Sequence, residues 1–146
     1  MIFGVGESEL LNRSPGLAIV GSRDIGEEQV KLAKVIGRRF AQAGYLIISG
    51  GARGVIAGGC LAPWTMKRQR WVFCMATRSG SRSDGMLVSG LKRNSFCLVS
   101  HVHPATGFSF GNAMARNRYI HALADATVVI ATSAGTGGTW QGRSTI

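Results

Sequence analysis

Two hydrophobic patterns alternate along this chain. Apolar runs without a charged residue occur at residues 16–20 (GLAIV), 45–48 (YLII) and 126–131 (ATVVIA), and a short strand candidate at 97–100 (CLVS). Such runs, bounded by glycine or turn residues, read as strands buried on both faces, the mark of a parallel sheet. Between the first two, Val30, Ala33, Gly37 and Phe40 recur at helical spacing, with Leu32, Val35 and Ile36 beside them and Arg38, Arg39 and Gln42 toward the other side. Glu27 and Glu28 fall in the first turn, where carboxylates suit the positive end of a helix, and Gly44 is a stop signal. Residues 16–50 are therefore expected to form a βαβ unit with a right-handed crossover. A second helix is expected over residues 112–124, its apolar face made by Met114, Tyr119, Ile120 and Leu123.

The pattern fails in two places. Residues 1–15 hold no period and read as a lead-in, closed by a turn at Ser14, Pro15 and Gly16. From 57 to 95 Pro63 and two tryptophans crowd against Lys and Arg, and RSGSRSDG at 78–85 reads as loop.

The 146 residues suffice for one domain with its own core. The net charge of +10 invites a phosphate-bearing partner. Most of that excess is concentrated, because residues 57–95 hold seven Lys and Arg against Asp84 alone. Cys60, Cys74 and Cys97 are odd in number and lack paired short spacing, which gives neither a disulfide framework nor a zinc pattern, so a reducing, cytoplasmic setting is expected. The N-terminus MIFGVGESELL has no basic leader region, and no apolar run approaches the ~20 residues that span a bilayer. No membrane association is expected.

Chemistry gathers where the strands end. The first run empties into Gly21, Ser22 and Arg23, and the second into Ser49, Gly50, Gly51, Arg53 and Gly54; a third glycine loop, with Gly135, Gly137 and Gly138, follows residues 126–131. Glycine lets backbone amides approach an anion closely, and the planar fork of Arg donates two bonds to a phosphate. Ligands of open α/β sheets bind outside the carboxyl ends of the strands, so the first two loops are expected to share one anion site. Phe108, Phe110 and Tyr119 could stack on bases, but their apolar spacing assigns them to the core. His101 and His103 lie two apart, on one face of a strand, with no third ligand in view, so no metal site is expected. No nucleophile has a partner base, so neither catalysis nor a cofactor is expected.

AIVGSR at 18–23, SGGARGV at 49–55 and GNAMARNRYIHALAD at 111–125, followed by ATVVIA, resemble the DNA-processing protein A (Smf/DprA) family in order and spacing. The likeness covers about the first 55 residues and the last 50. It implies one Rossmann-like α/β domain over residues 1–146, a doubly wound, mostly parallel sheet with helices on both faces and a disrupted middle crossover. It also implies binding of single-stranded DNA and loading of a recombinase of the RecA type in recombination and natural transformation, without enzymatic turnover, and it allows a homodimer. By that resemblance the DNA site takes Gly21, Ser22, Arg23, Ser49, Gly50, Gly51, Arg53, Gly54, Arg116, Asn117 and Arg118. For Arg116 and Arg118 a structural role, capping the sheet or pairing with Asp125, stands equally open. The alternative is a lysine-decarboxylase-like, cytokinin-activating phosphoribohydrolase or a nucleotide sensor, which shares the layout. Its PGGxGT signature and nearby Glu are absent, since the third loop reads TSAGTGGTWQG.

The family's acid after the second glycine loop is replaced by Ile56. Read from the third base of each codon, residues 61–79 can encode an amphipathic helix end followed by an apolar strand, which a βαβ repeat requires next. Residues 57–95, and separately 143–146, are therefore expected to be out-of-frame text, with the C-terminus truncated. A chain so broken is expected to lack its middle strand and to fold poorly.

Overall fold

Strand β1 (Phe3–Gly6) and a 3-10 helix (Ser8–Asn12) precede β2 (Gly16–Val20), α1 (Glu27–Gln42) and β3 (Leu46–Gly50). Then come β4 (Trp71–Met75), β5 (Phe96–Ser100), α2 (Phe110–Ala122) and β6 (Ala126–Val129). The structure, a computed structural model, describes residues 2–12, 15–22, 26–50, 71–75, 96–103, 105–107 and 109–131. The crossovers on either side of β4, and the third glycine loop, lie outside the described residues.

The strands form one sheet in the order β1-β5-β4-β3-β2-β6. All neighbours run parallel except β1, which pairs antiparallel with β5, Phe3 opposite Ser100. The chain steps outward from β2 to β5 and then returns to place β6 on the other side of β2. That reversal is the topological switch of a doubly wound sheet, as the apolar runs predict.

Alternation sorts the side chains of β2, β3 and β5. Ala18, Val20, Leu46, Ile48, Cys97 and Val99 pack with Leu10 and Ile120, on the side of α2. Leu17, Ile19, Ile47 and Phe96 pack with Ala33 and Ala41 of α1 on the opposite side. Ile47 and Ile48 are both 0% exposed, each burial contributing roughly 1.5–3 kcal/mol.

The two helices are set by small residues. On α1 the buried row is Ala33, Gly37 and Ala41, spaced four apart; Leu32 and Val35, off that row, stand exposed. Gly44 takes φ +92°, a left-handed stop after the last turn, and Phe40 meets Tyr45 edge-on across it with ring centroids 5.0 Å apart. Helix α2 starts two residues before the expected position, because Ser109 is its N-cap and accepts from the Asn112 amide at 3.0 Å.

Three expectations need correction. The lead-in is structured: β1 extends the sheet, and Leu10 of the 3-10 helix is 1% exposed. The sheet keeps its middle strand, since β4 pairs Ile47 with Trp71 on one side and Trp71 with Phe96 on the other. Tyr119 and Phe110, assigned to the core by spacing, are 42% and 67% exposed, and Ala113, Arg116, Ile120 and His121 are buried instead.

Candidate nucleic-acid interface

The carboxyl ends of β2, β3, β5 and β6 lie along one rim of the sheet. At the switch point Val20 runs into Gly21 and Ser22. Ser22 donates its amide to the Ala131 carbonyl at 2.7 Å, and Ile130 donates to Val20 at 2.9 Å. The Ser22 amide therefore ties the β2 end to the β6 end instead of facing outward. At the opposite, amino end of the strands, Gly16 donates to the Asp125 carboxylate at 2.6 Å and Asp125 returns its amide to the Gly16 carbonyl at 2.9 Å. Asp125 thus anchors the start of β6 to the start of β2, away from the rim.

One cation reaches the rim from α2. The guanidinium of Arg116, only 8% exposed, lies over Gly50. A Cβ on Gly50 would come within 2.7 Å of Arg116 Cζ and 2.8 Å of Ile120 Cδ1. Glycine is needed here for room above the backbone, whereas the positive φ values among the described glycines belong to Gly6 and Gly44. The structure thus brings together two of the expected residues, Gly50 at the mouth of its loop and Arg116.

The others are placed differently. Ser49 is fully buried, and its hydroxyl donates to the Ile19 carbonyl at 2.6 Å, pinning β3 to β2. Asn117 is half-buried, and Arg118 is exposed on a different side of α2, since two residues advance a helix by about 200°. Arg23, Gly51, Arg53 and Gly54 lie outside the described residues.

The histidines do not form a shared face. His101 stacks on Tyr119, centroids 5.2 Å apart and planes 28° apart. His103 meets Phe3 edge-on at 5.3 Å, and its Nδ1 accepts from the Ala105 amide at 3.2 Å. Burial, with the charge of Arg116 second, holds His101 below the ordinary histidine value. Burial alone does the same to His121. The Cys97 thiol is pushed up by burial and then by Glu7, which keeps it protonated and unreactive. Among the described residues no three His, Cys, Asp or Glu side chains gather as metal ligands would.

Sequence reading missed the cleft beside Arg116. It is a hollow of about 70 Å3 between α2 and the β1–β5 edge, lined by Ile2, Val99, His101, Arg116, Tyr119 and Leu123 among others. Its signal in the sequence was the helical spacing of Arg116 and Tyr119, which places them side by side on α2.

The chain matches the family of DNA recombination-mediator protein A over residues 1–142. The fold is similar to that of DNA processing protein A from Helicobacter pylori, a structure described for its single-stranded DNA binding mode. The TM-score is 0.76 at 21% identity, over 97% of this chain and 64% of that one. It is also similar to DNA processing protein A from Streptococcus pneumoniae, with a TM-score of 0.78 at 23% identity, over 98% of this chain and 50% of that one. The chain spans about half to two thirds of the length of these solved proteins. No curated protein matches it.

Proposed function

We propose, from the premise that the chain belongs to the DNA recombination-mediator protein A family, that it binds single-stranded DNA along the carboxyl rim of its parallel strands and mediates recombination by loading a recombinase of the RecA type. The observation that carries this is the Arg116 guanidinium held over Gly50, a fixed positive charge at the mouth of a glycine loop. A phosphate arriving there meets a cation already in place, so little side-chain entropy is lost on binding. Arg23 and Arg53, in the loops that continue Gly21–Ser22 and Gly50, supply further phosphate contacts in this reading. Gly51 and Gly54 let the backbone of the second loop come close. Arg118, on another side of α2, and the half-buried Asn117 lie apart from this contact and are left to a supporting role.

The function is binding without turnover, and its setting is the cytoplasm. No helix among the described residues is long and apolar enough to cross a membrane. A homodimer is compatible with the exposed Leu32 and Val35 on α1.

The test is the affinity of the chain for a single-stranded oligonucleotide as salt is raised. Each neutralised phosphate adds about 0.7 to the slope of log affinity against log salt for a single strand. A steep slope, reduced by Arg23→Ala with Arg53→Ala, is expected. Salt-independent binding of a mononucleotide, or release of free base from it, would replace this reading with that of a phosphoribohydrolase.

A further inference from the structure

The cleft beside Arg116 is unlike the phosphate-directed features of the rim. Its lining is mostly apolar or aromatic, with Ile2, Val99 and Leu123 beside the stacked pair of His101 and Tyr119. Tyr119 is a large ring on a helix that buries its other face, and it remains 42% exposed. At about 70 Å3 the hollow holds about two waters at their ~30 Å3 each, enough for the edge of a planar ring but not for a nucleotide. Arg116 belongs to both places: its guanidinium lies over Gly50, and the same residue lines this cleft, three positions before Tyr119 on α2. A strand whose phosphate meets Arg116 at Gly50 therefore passes beside the Tyr119 ring.

We infer that the His101–Tyr119 pair is a stacking platform for one base of the single strand whose phosphate lies at Gly50 and Arg116. This rests on the single-stranded DNA reading given above. Single-strand binders combine a basic track with aromatic faces on which bases lie, a contact that tolerates any sequence because every base presents a π-face. His101 supports the platform from behind: it is stacked on Tyr119 and so fixes the tyrosine ring, and burial, then the Arg116 charge, disfavours its protonated form. The apolar walls exclude water from the base edge, and Arg116 joins base and phosphate subsites.

The experiment compares binding of a labelled oligothymidylate with binding of an abasic oligonucleotide of equal length, using the full chain and fluorescence anisotropy. The chain is expected to prefer the oligothymidylate. Tyr119→Leu, which keeps an apolar cover on the cleft, is expected to weaken that preference about tenfold, the order of one stacked base, and to leave abasic binding unchanged. Tyr119→Phe is expected to retain it. His101→Ala, which frees the tyrosine ring, serves as a second variant and is expected to give an intermediate loss. Equal binding of both oligonucleotides by the unaltered chain, or full retention by Tyr119→Leu, overturns the platform while leaving phosphate binding intact. Failure to bind either oligonucleotide overturns the single-stranded DNA reading and the platform with it.

Discussion

The guanidinium of Arg116 occupies the space that a side chain at Gly50 would need. Two residues 66 positions apart are thereby made dependent on each other: the glycine leaves the room, and the arginine turns an otherwise bare strand end into a charged one. Gly50→Ala is expected to cost about 1–3 kcal/mol, the range of overpacking, because the Arg116 end can swing aside but the buried Ile120 Cδ1, 2.8 Å from the added Cβ, must shift as well. Urea denaturation checks this, and the cost should shrink in an Arg116→Ala background. The larger effect is expected in binding. With its guanidinium displaced, the chain should lose about one phosphate contact from the salt slope.

That relationship also marks the limit of what pattern reading reaches. The strands β2, β3 and β6 and the helix α1 are legible because apolar runs and helical spacing persist through them. On α2 the buried row runs through Ala113, Arg116 and Ile120, and a periodicity that counts only apolar residues skips the arginine and recruits Tyr119 in its place. The arginine is buried because Gly50 opposite it has no side chain, a long-range fact that no local window holds. Strand β1 was hidden for another reason. FGVG is four residues long with two glycines, too short to show alternation, and its pairing with β5 supplies the order that its own sequence lacks.

Asp125 is expected to matter for stability and not for binding. Its carboxylate accepts the Gly16 amide while its own amide returns to the Gly16 carbonyl, so the starts of β2 and β6 are clasped across 109 residues of sequence. A hydrogen bond to a charged group contributes about 1.5–3 kcal/mol. Asp125→Ala should lower unfolding stability by about 2 kcal/mol, and Asp125→Asn, which keeps an acceptor, by less. Affinity for a single strand should be unchanged in both, because the clasp lies at the amino end of the strands. Equal losses from the two variants would show that the carboxylate charge, and not the acceptor, holds the clasp.

The histidines give the fold an acid limit. Burial holds His121 below the ordinary histidine value of 6.5. Its Nδ1 lies 3.1 Å from Thr127 Oγ1, and its buried Nε2 has no hydrogen-bond partner among the described residues. A lowered native value means that the unfolded chain binds more protons on the acid side. The stability it confers is complete above about pH 6.5 and is lost as pH falls through the lower native value. His101 shifts in the same direction and adds to the effect. The melting temperature is expected to drop between about pH 7 and pH 5, and His121→Gln should reduce the drop without removing it. A melting temperature flat across that range would show that neither ring titrates lower in the native state than in the unfolded chain.

The coding DNA offers the last test. Residues 57–95 carry seven basic residues against one acid, two of the three tryptophans and no period of their own, between segments that keep the family pattern. A single shift of frame near Val55, compensated near Ser95, accounts for all of these, and deep sequencing from the codon of Gly51 onward is expected to find it. The sheet does not argue against a shift, because the slot between β3 and β5 asks only for an apolar strand. WVFCM at β4 supplies one in the present frame, and the shifted frame can encode one at the same place. What differs is the charge carried around that strand. In a restored frame most of the local excess vanishes, and the salt slope for a single strand should depend on Arg23, Arg53 and Arg116. If the present frame is upheld, neutralising Lys67, Arg68 and Arg70 together should lower the slope further, and the middle segment then belongs to the DNA-binding surface.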